Sequence, residues 1–413
     1  MREVGSENLL SSPAFVYQWL EDQGVWKKLE ERAVRQIVQS VIEGKCDDIT
    51  RGVVESVTDL MKTEIFKPDH EFNVGPVDAV NCVNGELSLV GGKWQLLPHN
   101  REHYRTTQIP VPYDPGAKAP RFMQFLSQVF EGDPDISDKI LAILEMIGYT
   151  LMAHCRHERF IILVGSGANG KSVLLSVLEA LVGKDNLAGV QPSQFDRSFQ
   201  RAHLHGKLAN IVTEVKQGEV VDDASLKGIV SGEPTTVEHK FKDPFVMRPY
   251  ATCWFGTNHM PHTRDFSDAL FRRALIVQFN RVFKPEHGNC DPHLKDKLLE
   301  ELPGVLNLSL DAYLDALHHG FTMPKSCLEA REEWRLEADQ VAQFIQERYE
   351  RDTFATGIYT QTIYDDYRRW GESSGISRLL SMKSFRDRLT RLGFGKGRNK
   401  HGTLVTGLRS LKI

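Results

Sequence analysis

Cysteine is scarce and scattered in this 413-residue chain. Its six cysteines, Cys46, Cys82, Cys155, Cys253, Cys290 and Cys327, include no C-x-x-C pair and no His/Cys cluster at zinc spacing. That excludes a disulfide framework and a zinc module, and it predicts buried thiols in a reducing compartment. Also missing is any apolar run near the ~20 residues that a membrane helix needs, and no secretory apolar region opens the chain. No membrane role is expected, and the location read from the sequence is cytoplasmic. Net charge is only −4, from 51 Lys+Arg and 55 Asp+Glu, which argues against a protein that coats nucleic acid by bulk charge. The charge is unevenly placed, however. From Arg378 to the C-terminus, ten basic residues stand against the single acid Asp387, a basic tail on an otherwise acidic chain.

What is present centres on Phe160-Ile161-Ile162-Leu163-Val164, followed by Gly165-Ser166-Gly167-Ala168-Asn169-Gly170-Lys171-Ser172 and then Val173 to Leu178. An apolar run of strand length feeds a glycine-rich turn that opens into a helix with apolar positions three and four apart. Glycines let the backbone curl until successive N–H groups point inward, and the helix N-terminus adds partial positive charge. Such a loop cradles phosphates. Lys171 is placed to reach the β- and γ-phosphates, and the Ser172 hydroxyl can take one position on Mg²⁺.

Two further strands follow. Leu208 to Val212 ends at Thr213-Glu214, where a carboxylate can hold Mg²⁺ or polarise an attacking water. Ala251 to Gly256 ends at Thr257-Asn258, whose amide can orient that water. Between them, Thr235 to Arg248 alternates on either side of a charged tip, as a hairpin does. The tip offers Lys240 and Lys242 to phosphates and the Phe241 ring to a sugar or base, unless it is an ordinary solvated turn. Arg272-Arg273 then enters the apolar run Ala274 to Phe279. Guanidinium groups there call for an anion, either a surface carboxylate or the γ-phosphate held by a neighbouring subunit.

The flanks set the domain plan. Residues 1–150 read as a mainly helical collar: helical patterning from Pro13 to Met61, short strands from Ala79 to Pro112 with turns at Asn84-Gly85 and Gly91-Gly92, then helices over Ala119–Phe130 and Ser137–Met152. Residues 151–335 hold the phosphate loop, and 336–413 form a basic terminal domain. In that last domain, helices over Val341–Tyr349, Thr360–Trp370 and Ser381–Leu392 precede a glycine-rich basic hairpin. This is the order of a winged helix, with Lys383, Arg386 and Arg391 on the recognition helix and Arg398 and Lys400 on the wing. Duplex DNA or a docking protein would suit it. The fold class expected is α/β.

In series, Asn169-Gly170-Lys171-Ser172, the strand ending at Glu214, Leu226 to Pro234, the basic hairpin, Gly256-Thr257-Asn258-His259-Met260-Pro261 and Phe271-Arg272-Arg273 resemble the superfamily 3 helicases. More closely they resemble the helicase part of the poxvirus-type and phage/plasmid primase-helicases. Upstream, Val83 to Leu87, Pro98-His99-Asn100, Tyr113 to Ala117 and Ile147-Gly148-Tyr149 resemble the domain that precedes the motor there. The resemblance implies an AAA+ P-loop ATPase core that assembles as a ring, usually a hexamer, on single-stranded DNA and moves 3′ to 5′. It implies ATP and Mg²⁺ as cofactors and forked DNA as substrate, with a primase or polymerase as a further partner. The setting implied is the replication of a phage, plasmid or mobile element in a bacterial or infected host cell. Carried over by residue, Lys171 and Ser172 match the Walker A pair, Glu214 the Walker B acid, Asn258 the sensor, Lys240-Phe241-Lys242 the DNA hairpin, and Arg273, with Arg272 next, the arginine finger. Two departures stand out: Thr213-Glu214 replaces the adjacent carboxylates of many relatives, and no polymerising primase domain is expected. An ATP-controlled origin-binding or loading switch is the alternative, and a small-molecule kinase shares the loop but lacks an evident acceptor lid.

Overall fold

The computed structural model describes residues 6–45, 48–216, 219–240, 243–263, 268–284, 291–374 and 379–411. Two compact units emerge: residues up to Pro261 together with Arg272–Leu328, and His262–Phe271 together with the chain from Glu329 on.

The first unit opens with strands rather than the expected helix. β1 (Leu9–Ser11), β2 (Val16–Leu20) and β3 (Val25–Leu29) form an antiparallel meander with Trp19 opposite Trp26. The reason is that β2 is buried on both faces. Val16 packs with Leu9, Val34 and Met61, while Phe15, Tyr17 and Trp19 pack with Leu10 and Trp26 on the other side. A doubly buried strand loses its polar alternation and reads as a helix in sequence. Gly24 (φ +66°) turns the chain, and any Cβ there would strike the His99 ring. Helical structure begins only with α1 (Glu31–Ile42) and α2 (Arg51–Glu64), the latter capped by the Thr50 hydroxyl. β4 (Ala79–Cys82), β5 (Gly85–Val90) and β6 (Lys93–Leu97) then make the expected second meander, with Gly91 and Gly92 both at positive φ in its second turn.

After α3 (Pro120–Val129) and α4 (Ile136–Thr150), strands and helices alternate: β7 (Phe160–Val164), α5 (Lys171–Val182), β8 (Leu187–Ala188), α6 (Ser198–Arg201), β9 (Ala209–Val212), α7 (Asp223–Val230), the hairpin β10 (Thr235–Val237) and β11 (Phe245–Met247), β12 (Thr252–Thr257), α8 (Asp268–Phe271) and β13 (Ala274–Gln278). Five of these strands form one parallel sheet in the order β13-β7-β12-β9-β8. Phe160 to Leu163 are buried throughout, as a parallel strand covered on both faces must be. α9 (Leu294–Leu299) and α10 (Leu302–His319) follow, and α3, α4, α5 and α10 share one apolar core with the sheet. α10 crosses α4 closely, because Gly148 lacks the Cβ that would meet the Ser309 carbonyl.

The second unit takes its chain from α11 (Lys325–Ala338) through α12 (Gln340–Arg348), β14 (Tyr349–Arg351), β15 (Ile358–Tyr359), α13 (Thr360–Ser373), α14 (Met382–Arg391), β16 (Gly395–Asn399), β17 (Gly402–Thr406) and β18 (Leu408–Ser410). A three-stranded antiparallel sheet, β15-β17-β16, and a β14-β18 pair accompany the helices. Ser381 accepts the Ser384 N–H at the start of α14, and Gly393 (φ +86°) ends it, both as the sequence predicts. Phe344, Tyr367, Trp370 and Phe385 fill the core, and Asp339 is buried against Arg388.

Candidate active site

The glycine-rich loop leaves the carboxyl end of β7 and enters α5. Gly167 (φ +99°) and Gly170 (φ +90°) take the left-handed backbone such a curl requires, and Ala168 (φ +48°) joins them. A Cβ at Gly165 would fall within 2.1 Å of the Asn169 amide, so only glycine fits. Asn169 is 2% exposed and uses both ends of its side chain. Its Nδ2 donates to the Phe279 carbonyl (3.4 Å), and its Oδ1 accepts from Lys171 Nζ (3.1 Å). Lys171 Nζ also donates to the Gly165 carbonyl (2.6 Å). The cation is thus held inside the loop. Burial lowers its pKa, and the nearby negative charge of Glu214 opposes that shift.

Strand register explains how distant segments converge here. Thr257 lies opposite Val164, Phe255 opposite Val212, and the chain beyond β9 stays alongside β12 through Val215 N–H to the Gly256 carbonyl (2.8 Å). The carboxyl edge of the sheet therefore gathers the loop, Glu214 and Asn258 side by side, where ligands of open α/β sheets bind. Ser172, Glu214 and Asn258 are all exposed. Neither the Ser172 hydroxyl nor the Glu214 carboxylate is engaged by another described residue, so both oxygens are free for a hard divalent cation. Gln191 escaped the sequence reading because β8, which precedes it, is two residues long. Its amide donates to the Glu214 carbonyl (3.2 Å) and steadies that turn.

The arginine pair lies at the other edge. β13 runs parallel to β7 with Ala274 opposite Phe160, so Arg272 and Arg273 stand at the amino end, away from their own loop. Arg273 is 11% exposed, paired with Glu158 (2.5 Å) and donating to Ser231 Oγ (3.0 Å). Arg272 is exposed and has no ion pair among the described residues.

Lys240 is exposed at the turn of the β10–β11 hairpin, whereas Phe241 and Lys242 lie outside the described residues. The hairpin base is fixed by an aromatic cluster. His239 stacks on Phe245 (5.7 Å), and Phe15 meets both rings at 5.5 and 5.6 Å. In the second unit, Lys383, Arg386 and Arg391 on α14 and Arg398 and Lys400 on β16 and its turn are all exposed and unpaired among the described residues. Arg388 and Arg409 are instead tied to Asp339 and Glu350. The sequence alone could not sort these cations into the two groups.

Residues 163–273 match a family of unknown function (DUF5906), and residues 11–131 match a family described as D5 N terminal like. A mimivirus protein from Acanthamoeba polyphaga mimivirus, "Putative helicase L207/L206", is 25% identical over 59% of this chain and 28% of its own length. "Putative helicase 184R" from Invertebrate iridescent virus 6 is 22% identical over 65% of this chain and 32% of its own length. The chain thus spans about a third or less of these relatives. Among solved structures, the apo C-terminal region of NrS-1 aligns over 99% of this chain and 98% of its own, with TM-score 0.53 and 12% identity, a likeness of fold alone. Together these likenesses support a protein of the helicase kind, akin to those of viral replication. The first matched segment runs from the end of β7 to Arg273 and so contains the loop, Glu214, Lys240, Asn258 and both arginines.

Among the described residues no group of His, Cys, Asp and Glu is arranged to hold a metal by itself, and no helix is long and apolar enough to cross a membrane. Cys82, Cys155 and Cys327 are free, with burial pushing each thiol up to about 12.

Proposed function

We propose that this chain is the motor part of a superfamily 3 AAA+ DNA helicase, which hydrolyses ATP in a ring, probably best described as a hexamer by family likeness, and pulls single-stranded DNA 3′ to 5′ through its centre.

 The observation that best supports this reading is the division of the site between opposite edges of one sheet. Lys171, Ser172, Glu214 and Asn258 share the carboxyl edge, and an exposed Arg272 leaves from the amino edge. A chain built this way lacks one cation at its own nucleotide and offers one to a neighbour, which suits a closed ring of identical subunits.

In this reading Lys171 exchanges the Gly165 carbonyl and Asn169 for phosphate oxygens. The loop N–H groups and the start of α5 take the remaining phosphate charge. Ser172 and Glu214 hold Mg²⁺, which when bound bridges phosphate oxygens and offsets their charge. Glu214 also polarises the attacking water, Asn258 orients it, and Arg272 of the adjacent subunit stabilises the charge that develops. The Lys240 tip carries the strand, and the second unit, as a winged helix with Lys383, Arg386, Arg391, Arg398 and Lys400, holds duplex ahead of it.

The test is a strand-displacement assay on forked DNA with ATP and Mg²⁺, run beside native mass measurement with an ATP analogue and single-stranded DNA. A ring that unwinds, and a Lys171→Ala variant that neither hydrolyses nor unwinds, are expected. A chain that stays monomeric, or unwinds equally well without Lys171, refutes the reading.

A further inference from the structure

Beside the phosphate loop lies an open groove of about 450 Å³ lined by Glu131, Gly132, Asp133, Asn280 and Arg281. Two bonds fix its position. Phe279 accepts from Asn169, and Phe283 N–H donates to the Ala168 carbonyl (2.7 Å), so residues 280–282 form a wall pinned to the loop at both ends. The floor is equally ordered. Lys139, 1% exposed, pairs with Asp133 (2.6 Å), which also accepts from Asn280 Nδ2 (3.2 Å). Arg281 pairs with Glu131, donates to the Gln128 carbonyl (2.8 Å) and lies over the Phe283 ring at 5.2 Å.

The charges of this groove balance: two carboxylates against one lysine and one arginine. It offers no surplus cation to a phosphate, unlike the loop next to it. What it does offer is a guanidinium held flat against a ring, an amide, and carboxylate lone pairs not used by their present partners. A neutral, planar group that donates hydrogen bonds fits that set, and the volume is within the range of small-ligand sites. We infer that this groove is the nucleoside subsite, where the base of the bound nucleotide stacks on Arg281 and its sugar or amine donors meet Glu131 and Asp133. This rests on the proposed nucleotide site at the loop. It assigns a binding role to the α3–α4 turn and to the segment after β13, for which neither the motifs nor the matched families supply one.

Calorimetric titration of the full chain with Mg·ATP and with Mg·tripolyphosphate separates the two ideas. Wild type should bind ATP more tightly than tripolyphosphate. Arg281→Ala should shrink that preference by about tenfold while leaving tripolyphosphate binding unchanged. Asn280→Ala, which leaves the Arg281 pair in place, should shrink it in the same direction. Equal affinity of wild type for the two ligands, or an unchanged preference in both variants, overturns the subsite. Lys171→Ala should weaken both ligands alike. If it weakens neither, the loop reading itself fails, whatever the groove does.

Discussion

The two arginines before β13 make opposite predictions when each is removed. Arg272 is exposed and makes no internal ion pair among the described residues, so Arg272→Ala should leave stability within about 0.5 kcal/mol of wild type. If it completes a neighbouring site, its loss should lower kcat by about 10³–10⁵, or roughly 4–7 kcal/mol of transition-state stabilisation. Arg273 binds Glu158 and Ser231 in its own chain. Glu158 is 41% exposed, so solvent screens the pair and Arg273→Ala should cost only about 1 kcal/mol, read as a small fall in Tm. The assay is steady-state ATP hydrolysis with single-stranded DNA, run on each variant and on an equimolar mixture of Arg272→Ala with Lys171→Ala. Random mixing in a ring should restore about a quarter of the interfaces, since one partner then supplies the lysine and the other the arginine. An Arg272→Ala enzyme with wild-type turnover, or a mixture as inactive as its components, refutes the division of roles.

Three further outcomes are expected. Lys240→Ala should keep basal hydrolysis and lose unwinding, with a shallower dependence of DNA affinity on salt, measured by anisotropy at several ionic strengths. Gly148→Ala should be destabilising, because its Cβ would lie 2.2 Å from the Ser309 carbonyl; an overpacking cost of about 1–3 kcal/mol outweighs the ~1 kcal/mol helix gain, and urea denaturation reads the balance. His205, set between the Phe15 and Phe245 rings, has its pKa lowered from 6.5 to about 4 by burial and then by Lys28, His239 and Lys207. The unfolded chain binds this proton first, so stability is full above pH 6.5 and falls toward pH 4, by at most about 3 kcal/mol. Denaturation at pH 7 and pH 5 should show a smaller loss for His205→Phe.

How much of this was legible in the sequence depended on how local each signal was. The loop from Gly165 to Ser172 was readable because its glycines, its lysine and the flanking apolar periods are contiguous. The ends of β9 and β12 were readable for the same reason, to within a residue. Residues 9–29 were misread because neither face of β2 meets solvent, which removes the alternation that marks a strand. The choice between Arg272 and Arg273 was out of reach, since the carboxylate that decides it, Glu158, comes from a turn 115 positions earlier in the chain. Gln191 and the Asn280–Arg281 wall were missed because tertiary contacts alone give them their positions.

β13 has five residues, so it spans only about 17 Å. At one end it carries the arginine pair, and at the other Phe279 is bonded to Asn169 of the loop. It is hydrogen-bonded along its whole length to β7, so it shifts as a rod rather than bending. A small displacement of the loop as phosphate arrives or leaves would therefore be delivered, with little loss, to the guanidinium that projects from the far side. Adjacent subunits would then keep time with each other through a single short strut, without any change elsewhere in the fold.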